Sequence, residues 1–226
     1  MDEFDFPTSE DVLGFGSEHN PAVWGKHKAH LADPSDLVAV LEKCRSNGAK
    51  LSRQHVFEMA DTKPEWGVIG AIVWGFPRGS MPGGKWLAFA KAIELSKQFA
   101  DALDGFKAAP QSATTAVVQL NNLVPGLGFA TTTKMAYFAR LVLQEGPALI
   151  YDANVIKAIT DPSKGWDRVF PKTRSLLGTS GSHAKGVLSY SSYIEEAAAL
   201  AAKRNTTPEV VEVALLRSAA RAGTWS

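Results

Sequence analysis

Lys134 and Asp152 lie 18 residues apart, within a window from Leu123 to Ile159 where turn signals alternate with helical patterns. A lysine amine is a nucleophile once it is neutral, and an aspartate is a carboxylate that can stabilise positive charge developing nearby. Just before the lysine runs Val124-Pro125-Gly126-Leu127-Gly128, followed shortly by Thr131, Thr132 and Thr133. Gly126 and Gly128 carry no side chains, so the backbone N–H groups of such a turn can approach an anion closely. The three hydroxyls either cap the next helix or bond a phosphate. A potential nucleophile, a carboxylate and an anion-accepting turn thus share one window. Each feature also has a plainer reading: a Pro-Gly connection between helices, an exposed lysine, an ordinary N-cap.

These residues have to be held by helices. The spacing predicts a helix that begins near Thr131, with Lys134 in its first turn, where the positive end of the helix dipole disfavours an ammonium group. An apolar lead-in, ALIY, precedes Asp152, which caps a helix over the following residues. A chain that runs out from the lysine and returns to the aspartate can bring both to one cleft. Elsewhere the pattern is also helical. Asp33-Pro34-Ser35 opens a helix that Gly48 stops, and a short one follows over Ser52 to Ala60. Pro64 opens PEWGVIGAIVWG, apolar on every side and therefore central and buried. A loop spans Gly75 to Gly84, and a long amphipathic helix runs from Lys85 to Leu103. Residues 161–183 are polar and broken, with a short helix around Trp166. Two helices close the chain, Ala184 to Arg204 and another opened by Pro208. The expected fold is all-α, a single-core domain of about eight to ten helices.

Composition narrows the class. The 226 residues are enough to bury a core without metal or disulfide staples, and 45% apolar against 21% charged residues is a globular balance. A single cysteine, Cys44, excludes an intramolecular disulfide and a Cys-rich zinc site. No apolar run reaches the roughly 18 residues of a membrane span, and the acidic start is unlike a signal peptide, so a cytoplasmic protein with no membrane partner is expected. The net charge of +1 hides an asymmetry: residues 1–20 hold six acids and no Lys or Arg, leaving 24 bases against 17 acids in the rest. We therefore separate an acidic N-terminal arm, 1–20, from a helical domain, 21–226. A basic body permits nucleic-acid binding without requiring it.

The window around Lys134 and Asp152 resembles the helix-hairpin-helix DNA glycosylases, and most closely their 8-oxoguanine-glycosylase-like bacterial and archaeal branch. VPGLG is similar to the phosphate-gripping hairpin, KMAYFARL to the lysine helix, and ALIYDANVIKAI to the aspartate segment. The tail SYSSYIEEAAALAAKRNTTPEVVEVALL continues the likeness, which runs from Leu120 to the end. It implies Lys134 as the Schiff-base lysine and Asp152 as the catalytic aspartate. One departure stands out. Phe129, Ala130, Thr131 and Thr132 are four residues more than usual between Gly128 and the expected helix, which reads as a lengthened hairpin or as a lysine with another role.

The activity implied is base excision from double-stranded DNA by a monomer, without cofactor or metal. The target nucleotide is flipped into a pocket, and cleavage of its N-glycosidic bond leaves an abasic site. Attack by Lys134 would add strand cleavage, whereas attack by water would not. The modified base is either an 8-oxoguanine-type lesion, in repair, or a hypermodified phage base such as glucosylated hydroxymethylcytosine, in antiviral defence. A flipped base needs a flat clamp, for which Trp24, Phe129 and Tyr151 are the leading candidates among Trp24, Trp66, Trp74, Trp86, Phe129 and Tyr151. Residues 163–185 carry five bases (Lys164, Arg168, Lys172, Arg174, Lys185) against Asp167, and Arg174 joins Gly126, Gly128 and the three threonines as expected DNA contacts. The alternative is a non-catalytic helix-hairpin-helix module that only binds DNA. His19, His27 and His30 lack a carboxylate or cysteine at ligand spacing, so no metal site is expected.

Overall fold

Proline, glycine and short polar side chains set most of the element boundaries. The computed structural model describes residues 4–48, 50–80, 87–178 and 183–220. Thr8 opens α1 (Ser9–Gly14) with a capping box, its hydroxyl accepting the Asp11 N–H while the Asp11 carboxylate takes the Thr8 N–H. Strand β1 (Gly16–Glu18) leads to a 3-10 helix, Pro21–His30, and then α2 (Ser35–Ser46). Strand β2 (Lys50–Ser52) pairs antiparallel with β1, and Ser52 caps α3 (Arg53–Thr62). Pro64, at the first position of α4 (Pro64–Gly75), has no N–H to leave unsatisfied.

As its all-round apolar sequence requires, α4 is the central helix. Residues 67–74 are all buried, and its neighbours are α2, α3 and, further along the chain, α5 (Leu87–Glu94), α6 (Ser96–Ala108) and α8 (Phe129–Phe138). A Cβ at Gly67 would fall 2.6 Å from that of Ala60, so glycine there is what lets α3 and α4 approach. Between α6 and α8 lies α7 (Ala113–Leu123). A two-residue ladder, β3 (Val142–Leu143) with β4 (Gly146–Pro147), turns the chain towards α9 (Ala153–Thr160). Two 3-10 turns, Pro162–Lys164 and Trp166–Arg168, then precede α10 (Pro171–Leu177), α11 (His183–Arg204) and α12 (Pro208–Ala220).

The fold is all-α, and the ladders are its only strands among the described residues. The long helix expected from Lys85 to Leu103 is broken instead at Leu95. The break lets α5 bury Phe89, Ala92 and Ile93 while α6 turns to bury Phe99, Ala100 and Leu103. The stretch after Asp161 is also more ordered than its polar composition implied, because Trp166 and Phe170 are buried in the core. From Phe4 onward the acidic N-terminal segment packs on the rest of the chain. Phe4 stacks on Trp166 at 3.9 Å, and Asp11 pairs with Arg217 at 3.0 Å. No helix among the described residues is long and apolar enough to cross a membrane.

Candidate active site

The turn between α7 and α8 is built on backbone that L side chains rarely adopt: Gly126 has φ +87° and Gly128 φ +86°. Buried Leu127 pins the turn, its N–H bonding the Val124 carbonyl at 3.1 Å, and the Asn121 amide oxygen accepts the Gly128 N–H at 3.0 Å. Gly126 is exposed and Gly128 partly so. Helix α8 begins at Phe129, directly after Gly128. The hairpin is therefore not lengthened: the four extra residues are helical, and Lys134 sits in the second turn of α8 instead of the first.

The same geometry corrects the threonines. Each hydroxyl donates back into the helix: Thr131 to the Leu127 carbonyl at 3.0 Å, Thr132 to Phe129 at 2.9 Å, Thr133 to Ala130 at 3.1 Å. All three side chains are buried, and Thr133 also accepts the Tyr151 N–H at 3.2 Å. Thr133 thus joins α8 to the chain before Asp152, and all three hydroxyls are turned into the protein.

Lys134 Nζ lies 3.1 Å from Asp152 Oδ2 and 3.3 Å from the Ala130 carbonyl. Its stem crosses the end of α4, where a Cβ on Gly75 would fall 2.8 Å from Lys134 Cδ, and its ammonium stands 5.9 Å from the centre of the Phe76 ring. The other carboxylate oxygen, Asp152 Oδ1, caps α9 by accepting the N–H groups of Asn154 at 3.0 Å and Val155 at 3.3 Å. Burial would raise the pKa of this carboxyl. The charge and hydrogen bond of Lys134 and the two capping N–H groups outweigh it and hold Asp152 below the ordinary carboxylate value. The Asp152 side chain keeps 18% exposure against 5% for Lys134, so the pair is approached from the aspartate side.

Asp152 stands at the end of an extended segment fixed by its backbone. Buried Tyr190 and Tyr193, both on α11, donate to the Leu149 carbonyl at 2.8 Å and the Ile150 carbonyl at 3.5 Å. Tyr151 lies between them and α8, its ring 4.5 Å from Tyr193 and its hydroxyl 2.8 Å from Ser189. Tyr151 is thus core, without a free face for a base. Trp24 is equally buried, packed beside His27 and Phe89. Phe129 is 6% exposed and presses on Gly186, where a Cβ would meet its ring at 2.6 Å. The three expected clamps are therefore structural. The aromatic that does reach the lysine is half-buried Phe76, which sequence reasoning passed over inside a Gly/Pro loop.

Of the other candidates, Trp66 donates its indole N–H to Asp36, Trp74 is buried, and Trp86 lies outside the described residues. In the basic stretch, the Arg174 guanidinium is turned onto the Gly178 carbonyl at the end of α10, and Lys172 faces Glu195 at 3.6 Å. Among the described residues no group of three or more His, Cys, Asp and Glu side chains could hold a metal ion.

A hairpin with two positive-φ glycines, a lysine helix leaving it, and an aspartate N-cap against that lysine form one arrangement. Residues 10–216 match a family model described as "Putative 8-oxoguanine DNA glycosylase OGG-like protein". The chain belongs to this OGG-like family. The match takes in nearly the whole chain, so it includes the first half, α2 to α6, ahead of the stretch from Leu120 that carries the sequence likeness. No curated protein and no solved structure shows significant similarity to it. Family membership supports a glycosylase-like, DNA-directed role in general.

Proposed function

We propose that this protein is a DNA glycosylase that flips a modified nucleotide out of duplex DNA and excises its base, using Asp152 and Lys134. The observation that carries the reading is the 3.1 Å contact between Lys134 Nζ and Asp152 Oδ2, directly beyond a glycine hairpin. Gly126 and Gly128 let the hairpin backbone meet a DNA phosphate, which anchors the strand without reading its sequence. The flipped sugar then lies over the aspartate side of the pair.

As the C1′–N bond breaks, its electron pair leaves with the base, which takes up a proton, and positive charge grows on the sugar. Asp152, held ionised by its surroundings, stabilises that charge. Attack by Lys134 on C1′ uses the nitrogen lone pair, so the ammonium first gives up a proton, with Asp152 the nearest acceptor. Asp152 passes that proton to the departing base and is ionised again. The first product is a C1′ aminal. It becomes a Schiff base as the nitrogen loses its next proton and the C1′–O4′ bond opens, its electron pair leaving on O4′ as a hydroxyl, and strand cleavage follows. If the lysine keeps its proton, water attacks and an intact abasic site is released.

The substrate class we favour is an oxidised purine of the 8-oxoguanine type, in line with the family description. An abasic-site assay tests the proposal with duplexes bearing 8-oxoguanine or uracil, unmodified DNA, and phage DNA with and without glucosylated cytosines. Abasic sites on the 8-oxoguanine duplex alone support the reading. Release only from glucosylated phage DNA moves the protein to antiviral defence, and DNA binding without release from any substrate makes it a binding module.

A further inference from the structure

Among the described residues, the most heavily buried charges lie outside the proposed catalytic pair. Arg53, the first residue of α3, and Glu212, in α12, are fully buried although 159 residues apart. Arg53 Nη2 donates to Glu212 Oε1 at 2.6 Å and Nη1 to Oε2 at 3.3 Å, a two-pronged contact. Desolvating both ions is expensive, and an apolar pair of similar size is often as stable or more so. Stability alone is therefore a poor account of this pair.

Its other contacts suggest a purpose. Arg53 Nη1 also donates to the Tyr137 hydroxyl at 3.1 Å, and Tyr137 sits on α8 three residues after Lys134, on the next turn. Glu212 lies on α12, and α12 packs on α9, the helix that Asp152 caps. Two ions thus tie together the helix that carries the lysine and the segment that carries the aspartate. The guanidinium is further enclosed by the rings of Tyr137, Phe15 and Trp74, at 4.8, 5.3 and 5.7 Å, which leave it little room to shift.

We infer that Arg53 and Glu212 are positioning residues, a buried clamp that sets the distance between Lys134 on α8 and Asp152 at the start of α9. The inference rests on the proposed catalytic pair. Neither residue touches substrate; both act through Tyr137 and through the packing of α12 on α9.

The test uses the full-length chain with Arg53→Met and Glu212→Leu together, which removes the ions while leaving apolar volume among the aromatic rings, and separately Tyr137→Phe, which removes only the hydroxyl joining α8 to the clamp. Three quantities are read: the dissociation constant for duplex substrate, the single-turnover rate of base release, and the Lys134–Asp152 distance in a crystal structure. For the folded double variant the affinity should stay within about threefold, the rate should fall at least about tenfold, and the ion pair should open beyond hydrogen-bonding distance, about 3.5 Å. Tyr137→Phe should lower the rate by about threefold or more at unchanged affinity, and it decides the matter if the double variant fails to fold. Wild-type rates in the folded variants, or a Lys134–Asp152 contact unmoved in the crystal, would overturn the clamp. If the wild-type protein itself releases no base, the glycosylase reading falls, and the crystallographic distance still decides whether Arg53 and Glu212 hold the pair.

Discussion

Asp152 divides its carboxylate between two partners: Oδ1 closes the N-terminus of α9, and Oδ2 meets Lys134 Nζ at 3.1 Å. The cap fixes the rotamer of the aspartate, so one oxygen is directed at the lysine before any substrate arrives. On the proposed reading, this N-cap serves the chemistry as well as the helix.

Lys134→Ala separates lysine attack from water attack. If the lysine forms the covalent intermediate, borohydride should trap the wild-type protein on substrate DNA, and the variant should give no trapped band. A trapped complex of undiminished yield in the variant would remove Lys134 from that role.

Gly75→Ala tests how tightly the lysine is placed. The added Cβ would fall 2.8 Å from Lys134 Cδ, the flexible part of a side chain, so the lysine gives way and the fold does not. The melting temperature should be unchanged or slightly higher, since alanine narrows the unfolded ensemble. The single-turnover rate of base release should fall by about 10- to 100-fold, the scale of a misplacement of about 1 Å. An unchanged rate would mean that the position of the lysine is not critical.

How much of this was legible in the sequence differs from residue to residue. Asp152 was readable because an N-cap is a local signal, an acid following an apolar lead-in, and its helix starts where that signal puts it. The start of α8 was misjudged. Threonines ordinarily mark helix starts, but here Gly128, at positive φ, stands at the N-cap, and the threonine hydroxyls bond back to carbonyls within and just before the helix. Trp24 and Tyr151 were misread for a different reason: aromatic residues near a site and aromatic residues in a core have the same spelling, and only tertiary contacts tell them apart. The Arg53–Glu212 pair left no sequence signal, since it joins the first residue of one helix to the interior of another 159 residues away.

The hairpin glycines should respond through backbone alone. Beyond the chain neighbours no atom lies within 4 Å of a Cβ built on Gly126 or Gly128, so alanine there meets only the strain of a positive φ, about 1–3 kcal/mol each. Thermal melts of Gly126→Ala and Gly128→Ala should show that loss, together with weaker binding to duplex DNA and no change in which base is released. Wild-type DNA affinity in both would remove the hairpin from the interface.

The depressed pKa of Asp152 fixes the sign of a pH effect. A carboxyl whose pKa is lower in the fold than in the unfolded chain adds stability above the unfolded value, about 3.9, and that contribution is lost as pH falls through the folded value. Asp152→Asn keeps a competent N-cap but cannot ionise. The melting-temperature gap between wild type and variant should therefore hold from pH 7 down to about pH 4 and narrow below it. A gap that stays constant to pH 2.5 would contradict an ionised, lysine-paired aspartate.

Base release and DNA binding measured side by side for wild type and Asp152→Asn test the central claim most directly. On the substrate that the wild type processes, the variant should release base at least about 100-fold more slowly, the scale of losing one preorganised charge-stabilising group. Its affinity for the same duplex should be unchanged or higher, because a negative charge facing phosphate has gone. Base release by Asp152→Asn at the wild-type rate would show that Asp152 is a helix cap and nothing more.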